Sequence, residues 1–254
     1  MASPCKYCIP ERNSDLEQGD ILEPTQGLKS VLQSIHPHFC DQKYLGFMIL
    51  TQSCDLVRGR QRRSLCSSKY LTIAAIRSLT DCLPDLLGRV CSELAKDIYE
   101  RSSKFKAKQF LQRLVNQNEQ KLGLFYLHPD AEKIGIADHA VGILQISVAL
   151  RADEHYHNLI NARRARLEPP FQSKLGWLVG NLFSRVATPD WPTKDRDQLT
   201  KTLLSDCAPS VKWLSKTEVD AAKLAGVDLS NASEEEAKEK VAPHLPKPPL
   251  ERVI

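Results

Sequence analysis

The sequence has no apolar run near the ~20 residues needed to span a bilayer. It has no internal repeat and no strong excess of one charge, with 35 lysines and arginines against 31 aspartates and glutamates, a formal net charge of +4. No membrane partner, solenoid or histone-like polycation is therefore expected. Residues Met1 to Arg12 lack the apolar centre of a signal peptide, so export is not expected either. With a cytoplasmic location, the 8 cysteines are expected to be reduced thiols rather than a disulfide framework.

What the chain does have is a short apolar run ending in polar groups: Phe47-Met48-Ile49-Leu50, then Thr51-Gln52-Ser53-Cys54-Asp55. Such a run, bounded by loop residues, predicts a strand buried on both faces that delivers its polar tip to the surface. Further strands are predicted at Asp20–Leu22, Tyr70–Ile76, Leu122–Leu127 and Ala140–Leu150, the last with a glycine bulge at Gly142. Leu86, Val90, Leu94 and Ile98 recur at helical spacing, which predicts helix from about residue 81 to 120. A helix from Asp153 to about Leu167 and another from Pro169-Pro170 to 188 follow, then a helical, polar remainder.

The fold class read from this pattern is α+β, a small barrel or sheet packed against several helices. The expected organisation is a polar segment at 1–17, a core over 18–192, a helical region at 193–242 and a proline-rich tail at 243–254.

Four groups of residues could carry chemistry. Cys5 and Cys8 have the spacing of a zinc knuckle, and His38 and Cys40 would complete a tetrahedral set, with His36 beside them. The plainer reading is an unligated cysteine pair and loop histidines. Cys54 could act as a nucleophile, although the adjacent Asp55 carboxylate opposes thiolate formation, and a buried filler role competes. Arg58, Arg60, Arg62 and Arg63, with Arg163, Arg164 and Arg166, offer planar forks that match phosphate, so RNA or DNA is an expected partner. A solvated loop is the competing account of the first cluster. His157, Asn161 and Arg164 would share a helical face beside His155, a set suited to acid–base work on a phosphodiester.

Gln18-Gly19-Asp20-Ile21-Leu22, followed by Phe47 to Gln52, resembles the opening of the PemK/MazF-type toxins over residues 18 to 76. The resemblance implies an SH3-like barrel and RNA cleavage, with Thr51 in the place of that family's hydroxyl residue. Where the family carries an arginine before a proline at the start of the second strand, this chain has Lys43-Tyr44-Leu45-Gly46. The resulting expectation is a bacterial interaction protein, binding nucleic acid or a protein partner in a toxin–antitoxin-like or defence-like system. The alternatives are a metal-independent endoribonuclease using Thr51, Asp55 and Arg58, and a zinc-stabilised adaptor without catalysis.

Overall fold

The computed structural model describes residues 6–59, 66–182, 193–208 and 211–246. Its strands are β1 (Tyr7–Cys8), β2 (Asp20–Leu22), β3 (Tyr44–Ile49), β4 (Tyr70–Ser78), β5 (Glu93–Ala95), β6 (Ile98–Glu100), β7 (Leu124–Leu127), β8 (Ala140–Arg151), β9 (Arg163–Leu167) and β10 (Lys212–Leu214). Its helices are α1 (Gln26–Ile35), α2 (Ser53–Leu56), α3 (Leu79–Val90), α4 (Ser103–Val115), α5 (Ala152–Ala162), α6 (Pro169–Asn181), α7 (Thr193–Asp206), α8 (Lys216–Ala225) and α9 (Glu234–Val241). The chain is α+β and forms two compact units, one from residues 1–81 and 112–198, the other from 82–111 and 199–254. Among the described residues, no helix is long and apolar enough to cross a membrane.

The first unit is built on a sheet of order β1-β9-β2-β3-β4-β8-β7, antiparallel at every step. The expected central strand is β3, and its side chains alternate between two cores. Phe47 and Ile49 pack with Leu28 and Leu32 of α1 and Tyr156 and Leu159 of α5. Met48 and Leu50 enter a second core to which all the strands of this sheet contribute, covered by Leu175 and Leu178 of α6. Each fully buried aliphatic side chain of this kind contributes about 1.5–3 kcal/mol.

The sheet curls into a half-barrel. Its first strand meets the segment after β7 through side chains rather than a ladder. The Tyr7 hydroxyl donates to the His128 carbonyl at 2.9 Å, and Lys133 Nζ donates to the Tyr7 carbonyl at 3.1 Å. At the other border, Gln117 covers the outer edge of β7. Its amide donates to the Tyr126 carbonyl at 2.7 Å and accepts from the Tyr126 N–H at 2.9 Å, and the Leu124 N–H reaches the Glu119 carbonyl at 3.4 Å.

In the second unit, β5 and β6 form an antiparallel hairpin and β10 joins β6 in parallel. Ile98, Leu214, Val219, Ala222, Leu229 and Val241 form its core. Ser215 and Glu218 make a capping box at the start of α8, and Ser233 and Glu236 make another at α9. Each box satisfies N–H groups that a helix start leaves unpaired.

Three expectations about elements are corrected. The helix expected over 81–120 is broken by the β5–β6 hairpin, because Leu94 and Ile98 keep a helical spacing but pack into the second sheet. The helix expected to reach Leu167 ends at Ala162, and residues 163–167 form β9, inserted between β1 and β2. The polar remainder is not wholly helical, since Lys212–Leu214 is a strand. Sheet pairing overrides local helical preference in the first two cases, while the helical pieces expected at Leu199–Leu204 and Thr217–Leu224 lie in α7 and α8.

Candidate functional site

The polar tip of β3 lies where the sequence puts it, and most of its groups are committed to backbone. The Thr51 hydroxyl oxygen accepts from the Thr72 N–H at 2.8 Å. The Ser53 hydroxyl accepts from the Gln18 N–H at 3.1 Å, and the Gln18 amide donates to the Leu50 carbonyl at 2.6 Å. Cys54 and Asp55 are exposed on α2, a single turn. Among the described residues, no hydrogen bond links Thr51, Asp55 and Arg58, the set expected for RNA cleavage.

The arginines converge, but on the protein itself. Arg166 forks onto Asp20, Nε to Oδ1 at 2.6 Å and a terminal nitrogen to Oδ2 at 3.1 Å, and pairs with Glu17. Arg163 lies 3.6 Å from the same Asp20 carboxylate and donates to the carbonyls of Glu11, Ser14 and Asp15. Arg58 pairs with the Asp15 carboxylate and donates to the Asn13 carbonyl at 2.6 Å. The Tyr156 hydroxyl completes the cluster, accepting from the Leu16 N–H and donating to the Leu56 carbonyl. The segment from Glu11 to Asp20 is thus strapped down by guanidinium groups from α2's exit and β9.

Asp20 is fully buried and the Arg163 side chain is 3% exposed. Burial pushes the Asp20 carboxyl above the usual carboxylate value, against the pull of Arg166 and Arg163. The Asp15 carboxylate holds the Arg58 guanidinium above its ordinary value. Burial likewise pushes the Tyr156 phenol up. Arg164 pairs with Glu23 at 2.9 Å and reaches the carbonyls of Ala131 and Glu132.

Arg60, Arg62, Arg63 and Cys5 lie outside the described residues. Cys8 sits on β1, while His38 and Cys40 sit on the 3-10 turn Pro37–Cys40. His38 Nε2 bonds the Tyr44 hydroxyl at 2.5 Å, and the Cys40 thiol faces the Lys29 carbonyl at 3.4 Å. Among the described residues, no three histidine, cysteine or acidic side chains are grouped to hold a metal ion. The helical face expected to join His157, Asn161 and Arg164 does not form, because α5 ends at Ala162 and Arg164 lies on β9. His155 stays on α5, 3.6 Å from Glu154.

The structure adds a recess that the sequence reading did not locate. Ala74 of β4 pairs with Ser147 of β8, but the next residue, Ala75, pairs with Ile143. Leu144, Gln145 and Ile146 therefore have no counterpart on β4 and bulge out of the ladder. The Leu144 N–H is held by the Gly123 carbonyl at 2.8 Å. Gly123 has φ +61°, and a Cβ there would meet Leu182 Cδ2 at 2.8 Å and Gln145 Cγ at 3.3 Å, so the close approach requires glycine.

Beside this bulge opens a pocket of about 540 Å³ lined by Leu50, Thr51, Thr72, Leu144, Gln145, Ser147, Val179 and Leu182. Aliphatic side chains form its walls, and hydroxyls and an amide face it. Thr51 has used an acceptor lone pair on Thr72 but keeps its proton to donate. Among the described residues, no hydrogen bond engages the side chains of Thr72, Gln145 or Ser147. The bulge expected near Gly142 was the available signal, but its span over 144–146 depends on the β4 register, which the sequence does not state. No family model, curated protein or solved structure matches the chain.

Proposed function

We propose that the protein acts by recognition rather than catalysis, with the mouth of the half-barrel around Thr51 as its binding site. One observation carries the reading: the uncommitted polar side chains of Thr72, Gln145 and Ser147 meet aliphatic walls in one pocket. An apolar recess with a few convergent polar groups is what small-ligand sites have in common. Of the set expected for RNA cleavage, Arg58 is paired with Asp15 and the Thr51 hydroxyl accepts from the Thr72 backbone, and the arginine of the resembled family has no counterpart at residues 43–46. The same commitments count against a phosphate-binding surface made from Arg58, Arg163 and Arg166. We read the curled sheet as an SH3-like barrel whose cleavage chemistry is absent, serving as an interaction module. A place in a toxin–antitoxin-like or defence-like system rests on the resemblance of residues 18 to 76 alone.

A thermal-shift screen of small polar fragments tests this, run on the wild type and on Ser147→Trp, which fills the mouth. Hits on the wild type that vanish in the variant are expected, with labelled RNA left uncut. A screen without such hits, or RNA cleavage abolished by Arg58→Ala, would overturn it.

A further inference from the structure

The pocket at Thr51 has a neighbour. A second recess of about 450 Å³ is lined by Gln120, Lys121, Asn181 and Leu182. Leu182 forms a wall of both, and Gly123, Leu182 and Gln145 approach each other at their junction. The two recesses differ in charge. The described lining of the first carries no ionisable group, whereas the second holds Lys121, exposed and engaged in no hydrogen bond or ion pair among the described residues.

We propose that the two recesses together form one site for a small ligand with an uncharged, amide-edged head and a single anionic group, the plan of a nucleoside monophosphate. This rests on the recognition reading above and adds the ligand's chemistry to it. The first recess selects the head. Among the described residues no counter-ion faces that recess, so a charged group placed there would lose water without compensation from them, which is costly. The Gln145 amide offers a donor and an acceptor side by side, the complement of a lactam or carboxamide edge, and the Thr51 hydroxyl still has its proton. Leu50, Leu144, Val179 and Leu182 supply apolar surface for the flat body of a heterocycle. The second recess takes the anion. Lys121 is a compact, mobile ammonium that suits a phosphate as a point charge. The Asn181 amide donates to the Trp177 carbonyl at 2.6 Å, which turns that side chain's placement into a fixed feature of the wall. Because Leu182 separates the recesses by one side chain, a ligand with a short spacer between head and anion reaches both.

The test is a titration of the full chain with uridine, inosine and their 5′-monophosphates, followed by calorimetry and by amide chemical shifts. The monophosphates are expected to bind more tightly than the nucleosides, with shifts at Thr51, Gln145, Ser147 and Lys121. Gln145→Ala should weaken nucleoside and nucleotide alike by roughly tenfold, the value of a hydrogen-bonded edge. Lys121→Met should weaken the nucleotide alone, bringing it within about twofold of the nucleoside, while leaving the nucleoside unchanged. Both positions are exposed, so unchanged circular dichroism and thermal midpoint serve as the fold control. Absence of binding at millimolar ligand overturns the proposal, as do shifts mapped away from these residues or a Lys121→Met effect equal on nucleoside and nucleotide. If neutral fragments still bind at Thr51 while no nucleotide does, the ligand class is wrong and the recognition reading stands. If the mouth is silent to both, the two fall together.

Discussion

Replacing Asp20 by asparagine should be among the most damaging single changes at a polar position of this chain. The substitution keeps the shape and removes one negative charge. Asp20 is fully buried, the Arg163 side chain is 3% exposed and the Arg166 side chain 10%. Without the carboxylate, Arg166 retains Glu17 and the Asp15 carbonyl, and Arg163 retains only backbone carbonyls. Breaking one side of a buried ion pair typically costs about 3–5 kcal/mol, because a desolvated cation is left uncompensated. That is a large share of the roughly 5–15 kcal/mol that holds a domain folded. For a unit of this size, a thermal midpoint lower by roughly 10 °C is expected. Urea denaturation followed by near- and far-ultraviolet circular dichroism measures the loss. Hydrogen exchange should show the Leu16 amide opening early, since the strap it belongs to is held by the same cluster. Asp153→Asn is the control: its pair with Arg151 is exposed on both sides, and its loss should leave the midpoint unchanged. A loss below about 1 kcal/mol for Asp20→Asn would refute the idea that this pair is a structural lock. Strong dependence of that loss on salt would do so too, since buried pairs are little screened.

Gln117→Ala removes both hydrogen bonds to the Tyr126 backbone at the border of the sheet. A loss of about 1–3 kcal/mol and faster exchange at the Tyr126 amide are expected, and full protection there would contradict the assignment. Gly46→Ala would set a Cβ 2.6 Å from the Leu22 carbonyl oxygen, so β2 and β3 must separate. It should cost about 1–3 kcal/mol by equilibrium denaturation, and a neutral result would show that the two strands can shift apart freely. At low pH the second unit should lose helix through its caps. Burial opposes it, yet the hydrogen bonds from Ser215 hold the Glu218 carboxyl below its ordinary 4.5, and the Ser233 backbone N–H does the same for Glu236. A depressed carboxyl contributes stability that is present above 4.5 and is lost as pH falls through the lower folded value. Carboxyl titration by nuclear magnetic resonance, with helix content followed alongside, should show both events together in the wild type, and Ser215→Ala should return the Glu218 carboxyl towards 4.5.

The central strand was legible because four consecutive apolar residues admit few other environments, and both faces of β3 are indeed buried. Pro169-Pro170 marked the start of α6 for an equally local reason, since proline suits a first turn. The arginines were harder. Arg163, Arg164 and Arg166 read as a cationic patch because charge along a chain carries no information about burial. The alternation of Ala165 and Leu167 with Arg164 and Arg166 was a strand signal within that run. Asp15, Glu17 and Asp20 were the matching anions, separated from it by more than a hundred residues of sequence. The pocket was illegible for a different reason. It exists because β8 runs ahead of β4 between Ser147 and Ile143, and a register is a relation between two strands, not a property of either.

The glutamine lying against β7 has one more effect. A bare sheet border is a template on which a further chain can be laid down, and natural proteins guard such borders in several ways. Here a single carboxamide imitates a peptide bond, occupying the hydrogen-bonding positions of Tyr126 that an incoming strand would use. Growth of the sheet into a fibre, or capture of an extended peptide along that rim, would first have to evict Gln117. Its removal should therefore convert a self-contained fold into one that associates with itself at high concentration.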